Sequence, residues 1–191
     1  MNGPERIEAG TLLLVPVVNV LGFDRVQRYL PDRRDLNRSF PGNAGGSLTA
    51  RFAHAVFETL VSISDYGVDL HTAARGRTNF PNVRADLSDE RVRELAEWFG
   101  VSLIVDGKGP DGSLRRAAVG AGCPTIILEA GEVGKIEPGV VEVGARGVLN
   151  VLARLGMIDE DPASPSWQAI VRKTAWVRAH AGGLMQFHVG P

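Results

Sequence analysis

The chain of 191 residues has a single cysteine, Cys123, so it can form no internal disulfide. A lone cysteine fits a reducing cytoplasm. No apolar run approaches the roughly 18 residues that a membrane-spanning helix requires. The opening residues, MNGPERIEAG, hold no apolar signal core. Net charge is also lacking: 21 Lys and Arg stand against 22 Asp and Glu, a formal charge of −1. That balance gives no footing for a nucleic-acid partner or an anionic membrane surface. Internal repeats and low-complexity tracts are absent as well. What is there is ordinary for a globular protein, 44% hydrophobic and 23% charged residues, in a chain long enough for one domain with a substantial core.

The pattern along the chain alternates strands with helices. TLLLVPVVNV (11–20) is a near-continuous, β-branched apolar run and reads as a strand buried on both faces. Residues 21–46 carry many charges, Pro31 and Pro41, and read as a long loop with at most a short helix; loops of that length in a compact domain are usually functional. Ser47 caps a helix to about Ser62, with Leu48, Phe52, Val56, Leu60 and Ile63 as its apolar stripe. GVDLH (67–71) is a second strand, and 72–87 reads as irregular and polar. Ser88 caps a helix from Asp89 to Phe99. SLIVD (102–106) is a third strand, Ser113 to Val119 a short helix, 124–129 a fourth strand, and Glu137 to Leu155 a long helix. This order predicts an α/β fold with a mainly parallel, twisted sheet flanked by helices. Residues 159–166 (DEDPASPS) read as a linker after a domain spanning 1–158. The alternating tail 167–191, around Gly182-Gly183, reads as the start of a separate small β module.

Four sets of residues invite a chemical reading. His71 closes the strand VDLH with Asp69 two residues earlier, on the same face. A histidine at the carboxyl end of a parallel strand sits where open α/β sheets place their sites, although it also serves simply to bond a loop. Glu129 ends another buried strand, and in a parallel pairing it emerges beside His71. A partly desolvated carboxylate there suits a general base; Glu132 competes for the role. RRDLNRSFPG (33–42) packs Arg33, Arg34, Asp35, Asn37 and Arg38 against the turn Pro41-Gly42. Arg38 offers a planar fork for a carboxylate, with Asn37 adding an amide donor. A solvated loop whose arginines pair with Asp24, Asp32 and Asp35 explains the same composition. Cys123 as a nucleophile with His71 is the weakest reading: it begins a strand, at the wrong end of the sheet, with no helix N-terminus nearby to activate it.

Taken in order, VPVVNVLGF (15–23), DLNRSFPG (35–42), VDLHT (68–72), TNFPNVRADL (78–87) and PTIILEAGE (124–132) resemble the succinylglutamate desuccinylase/aspartoacylase family, relatives of the zinc carboxypeptidases. The resemblance runs over about residues 9 to 156. It implies a zinc-carboxypeptidase-like fold and a zinc-dependent amidohydrolase that removes an N-acyl group from an amino acid or related amine. By it, His71 is a zinc ligand and Glu129 the base that activates water and then protonates the leaving amine. Arg28 polarises the scissile carbonyl, a role for which Arg25 and Arg33 compete, and Asn37 and Arg38 hold the substrate carboxylate.

The same family carries two further zinc ligands in an H-G-x-E motif just before an Asn-Gly. Asn2-Gly3 is present here and that His and Glu are not. Zinc sites need at least three protein ligands, and His54, His180 and His188 lack the spacing. The expectation is therefore a chain of deacylase lineage that binds zinc weakly and turns over poorly. A missing first strand leaves a sheet edge or core face uncovered, which favours association with a second copy. The competing reading is a non-catalytic carboxylate-binding protein on the same fold.

Overall fold

The computed structural model describes residues 7–183. Its sheet is built from β1 (Gly67–Ala73), β2 (Asn79–Ala85), β3 (Leu103–Asp106), β4 (Thr125–Glu132) and β5 (Ala169–Val171), ordered β1-β4-β2-β3-β5. The β1–β4, β2–β3 and β3–β5 pairs are parallel, and β2 runs antiparallel to β4. The sheet is thus mixed but mainly parallel, as the strand–helix alternation implies.

Side-chain alternation divides the sheet into two faces. Ile126, Leu128 and Ala130 of β4, Val83 and Ala85 of β2 and Ile104 of β3 are buried in one cluster with Val92, Leu95, Ala96 and Phe99 of α3 (Glu90–Phe99) and Val151 of α5 (Pro138–Arg154). Burial of each such large apolar side chain contributes about 1.5–3 kcal/mol. On the other side, α4 (Leu114–Gly120) packs against β4 and β1. A second cluster, Leu30, Leu36, Phe40, Ala53 and Phe57, ties the long loop and α2 (Leu48–Val56) to Leu114 and Ala117 of α4. The second cluster fixes the loop of the charged stretch against α4.

Several local expectations are corrected. Residues 11–18 form no strand, and Leu13, Leu14 and Val15 are 48%, 74% and 42% exposed. An apolar run is a strand only where neighbours complete its ladder, and none lies beside it among the described residues; Val20–Phe23 instead begins the short helix α1, capped by the Asn19 side chain. The segment 72–87 is not irregular, because 79–85 is β2, in the middle of the sheet. Asp89, not Ser88, caps α3, accepting from the Arg91 and Val92 amides. Ser47 does cap α2, but the buried positions are Thr49, Ala53 and Phe57, and Ile63 is exposed. Thr49 is buried by a partner that helical periodicity does not reveal, the Asp32 carboxylate, which accepts from its amide and hydroxyl. At the other end, residues 169–171 join the main sheet through β3. Residues 172–183 form no further strand, contrary to the hairpin expected around Gly182-Gly183, whose second arm lies outside the described residues.

Candidate active site

The parallel pairing of β1 with β4 sets His71 directly opposite Glu129. The antiparallel pairing of β2 with β4 sets Asn82 opposite Glu129 from the other side. Paired residues project to the same face, so three neighbouring strands present a histidine, a glutamate and an asparagine in one row. The face is the one opposite α3 and α5.

Each member of the row is held. The Asp69 carboxylate lies 2.8 Å from Nε2 of His71, which confirms the shared face read from their spacing. Burial disfavours the imidazolium of His71, but the hydrogen bond and charge of Asp69 and the charge of Glu129 outweigh it, with Arg28 opposing, and its pKa is raised. Glu129 receives a 2.8 Å hydrogen bond at Oε2 from the side-chain amide of Asn79. Arg84 approaches Oε1 only to 3.9 Å, through Nε. The Asn82 side chain donates to the Phe80 carbonyl and, at 3.3 Å, to the backbone carbonyl of Glu129. The Glu129 side chain, 16% exposed, therefore has one oxygen bonded and the other open to a proton donor. Glu132, the competing carboxylate, pairs with Lys135 instead.

The loop that carries the charged stretch is organised by Asp35. Its carboxylate accepts from Nε of Arg28 at 2.9 Å and pairs with Nη2 at 2.8 Å, and its other oxygen accepts from the Asn37 amide. Asn37 in turn caps the start of α4, its Oδ1 accepting from the Leu114 amide at 2.8 Å. Arg38 donates to the Asn37 carbonyl and is otherwise exposed. Arg28 acts electrostatically on His71, so the loop and the sheet row belong to one region. The Arg28–Asp35 pair is the one predicted for a solvated loop; Asp32, predicted to pair with an arginine, bonds Thr49 of α2 instead.

Cys123 is 4% exposed, and burial raises its thiol pKa despite a hydrogen bond to Thr125. That is the environment of an inert core cysteine rather than a nucleophile. Asn79, Asn82 and Arg84 fall in the segment 72–87, which reads from the sequence as irregular and polar; Pro81 interrupts the strand pattern there. The alternation of Asn82 and Arg84 with Val83 and Ala85 was the signal available.

The donor set does not make a zinc site by itself. Among the described residues no three His, Cys, Asp or Glu side chains are placed to hold a metal ion, whereas a zinc site takes at least three protein ligands. His71 is the only imidazole in the row. No helix of the described residues is long and apolar enough to cross a membrane.

Known proteins resemble this arrangement. The model of the succinylglutamate desuccinylase/aspartoacylase catalytic domain matches residues 4–155. An N-alpha-acetyl-L-2,4-diaminobutyric acid deacetylase from Halomonas elongata is 26% identical over 192 residues, covering 94% of this chain and 56% of the relative. A succinylglutamate desuccinylase/aspartoacylase structure from Rhodobacter sphaeroides superposes with a TM-score of 0.73 at 29% identity, over 83% of this chain and 51% of that one. The product-bound ectoine utilization protein EutE (DoeB) from Ruegeria pomeroyi shares the fold, with a TM-score of 0.71 at 24% identity over 83% and 50%. The chain thus spans about half the length of the relatives it matches.

Proposed function

The chain belongs to the succinylglutamate desuccinylase/aspartoacylase family, and on that premise we propose that it carries the general base and the substrate grip of an amide-bond deacylase. The substrate is an N-acyl amino acid or a related N-acyl amine bearing a carboxylate. The observation that supports this best is Glu129: a half-enclosed carboxylate at the rim of a buried strand, oriented by Asn79 through one oxygen. Its free oxygen takes a proton from the attacking water, and the same carboxyl later delivers that proton to the leaving nitrogen. Arg28 stands over the same region as a cation to polarise the acyl carbonyl and stabilise the oxyanion. Asn37 and Arg38 bind the carboxylate of the amine half, with Asn37 made rigid by its bond to α4.

Zinc enters this reading through the family alone. His71, oriented by Asp69, is the residue that would ligate it, and zinc would supply an acidified water. With a single imidazole in the row, the chain alone holds the metal weakly and turns over slowly in this reading. The same shortage of ligands supports the second reading, a carboxylate-binding protein without turnover.

Hydrolysis of a panel of N-acyl amino acids, with zinc content measured in parallel for the wild type and His71→Ala, separates the two. The deacylase reading expects zinc-dependent turnover that falls by about 10²–10⁴ in Glu129→Gln. Carboxylate binding without turnover at any zinc concentration would refute it in favour of the second.

A further inference from the structure

β1 is an edge of the sheet: β4 pairs with one side of it, and no strand lies along the other among the described residues. The Gly67 amide donates to the Pro124 carbonyl, on the β4 side, at 2.9 Å. The amide and carbonyl of one strand residue point the same way, and the direction alternates from residue to residue. Gly67, Asp69 and His71 therefore turn their backbone groups to β4. Val68, Leu70 and Thr72 turn theirs outward, where they meet no partner among the described residues. Natural sheets blunt such an edge with proline, lysine or a bulge. GVDLHTA holds no proline or lysine, and its register is regular from Gly67 to His71. Leu70, in the middle of the strand, is 55% exposed.

The polar side chains of this edge are half satisfied. His71 meets its own Asp69 through Nε2 and Oδ2. Nδ1 of the imidazole and Oδ1 of the carboxylate make no hydrogen bond among the described residues. A protonated imidazole donates from both nitrogens. One donor and one acceptor are thus left over, two residues apart on one face. A second copy of the same pair, running the opposite way, presents them in reverse order.

Symmetry selects the register. Leu70 is the fourth of the seven residues of Gly67–Ala73, so an antiparallel pairing about a two-fold axis through Leu70 matches the whole strand. Leu70 then faces the partner's Leu70 in a hydrogen-bonded pair, and Val68 faces the partner's Thr72 in another, which uses every outward backbone group. Asp69 falls opposite the partner's His71 in the close, non-hydrogen-bonded position, with Cα atoms about 4.5 Å apart. An axis through Asp69 or His71 would set like against like and leave one end of the strand unmatched.

We propose that β1 pairs edge to edge with β1 of a second copy, antiparallel about Leu70, so that the partner's Asp69 joins His71 in the candidate site and the two five-stranded sheets become one. The inference stands apart from the deacylase reading, because it uses neither Glu129 nor a metal. The strand contact is small beside the roughly 1,000 Å² of a stable interface, so the dimer dissociates on dilution.

Sedimentation velocity of the full chain in metal-free buffer, over a concentration series, is expected to show monomer passing to dimer and no larger species, since a two-fold contact closes on itself. Leu70→Lys sets like charges against each other at the axis and should weaken the dimer at least tenfold. Its thermal melt should match the wild type, because Leu70 is exposed. Cross-linking reads the register and stands independent of that variant. The two Leu70 Cα atoms lie about 5.5 Å apart in a hydrogen-bonded pair, within disulfide reach. The two Thr72 residues are offset by four positions, about 13 Å. Under mild oxidant Leu70→Cys should form a covalent dimer and Thr72→Cys should not, with Cys123 buried and out of reach. A chain that stays monomeric across the series overturns the proposal; slow exchange of its Leu70 and Thr72 amides would then mean that a segment of the same chain covers the edge. Equal dimer affinity in wild type and Leu70→Lys overturns it too, as does Thr72→Cys cross-linking as fast as Leu70→Cys.

Discussion

Gly112→Ala tests the junction on which the substrate grip depends. Gly112 sits at φ +71, and a Cβ there would lie 2.4 Å from the carbonyl oxygen of Arg38, 2.6 Å from its carbonyl carbon and 3.1 Å from its Cα. These are backbone atoms, and the Phe40 amide donates to the Gly112 carbonyl at 2.9 Å across the same junction. The clash is relieved only by parting residues 38–40 from the turn before α4. The left-handed conformation costs an alanine about 1–2 kcal/mol, overpacking about 1–3 kcal/mol and the lost hydrogen bond about 1 kcal/mol. Reduced unfolded-state entropy returns about 0.4–1 kcal/mol. The net loss is about 2–6 kcal/mol. Gly122→Ala is the control: φ is +89 but nothing lies within 4 Å of the added carbon, leaving a net cost of about 1 kcal/mol from the conformation alone. Urea unfolding at constant m measures both. The Gly112 variant should also bind a substrate carboxylate more weakly, because Arg38 moves. Equal stability losses at the two glycines would show that the loop does not press on the turn, and the account of how Asn37 and Arg38 are held would fall with it.

Three further outcomes are expected. Asn79→Ala removes a hydrogen bond to a charged carboxylate, about 1.5–3 kcal/mol, so kcat of the deacylation should drop roughly 10- to 100-fold with KM little changed; an unchanged kcat would remove Asn79 from the positioning of Glu129. The Asp32 carboxyl is held below its ordinary value of 3.8, chiefly by the Thr49 hydroxyl and amide. Its contribution is therefore present above that value and lost as pH falls through the lowered one. Asp32→Asn should lower Tm at pH 7, with the gap to wild type closing in acid, and a gap that widens in acid would contradict the sign. Cys123, buried and with its pKa raised, should resist iodoacetamide in the native protein at pH 8 and react once urea unfolds it. Stoichiometric native labelling would mean that the thiol is reachable.

The helices were legible where a cap marks the start, as at Ser47 and Ser113, or where an apolar period runs long, as from 138 to 154. The strands carrying His71 and Glu129 were legible because both are short segments with apolar residues between turn signals. β2 was not: Pro81 and three polar residues hide a strand whose burial comes only from its neighbours. Residues 11–18 failed in the opposite sense. Their composition demands a partner on each side, and composition cannot supply one.

By itself the sequence determined the α/β alternation, the pairing of Asp69 with His71 through their spacing of two, and the presence of an arginine-rich loop closed by a turn. Those follow from local periodicity and covalent geometry. Only the tertiary structure decided that β2 lies beside β4, that Asn79 rather than any loop residue orients Glu129, that Asn37 is bonded to α4 across 77 residues of chain, and that β1 stands at the edge of the sheet. Contacts between distant residues are set by which strand finds which edge, a choice made by the burial of whole faces and not written in any one segment.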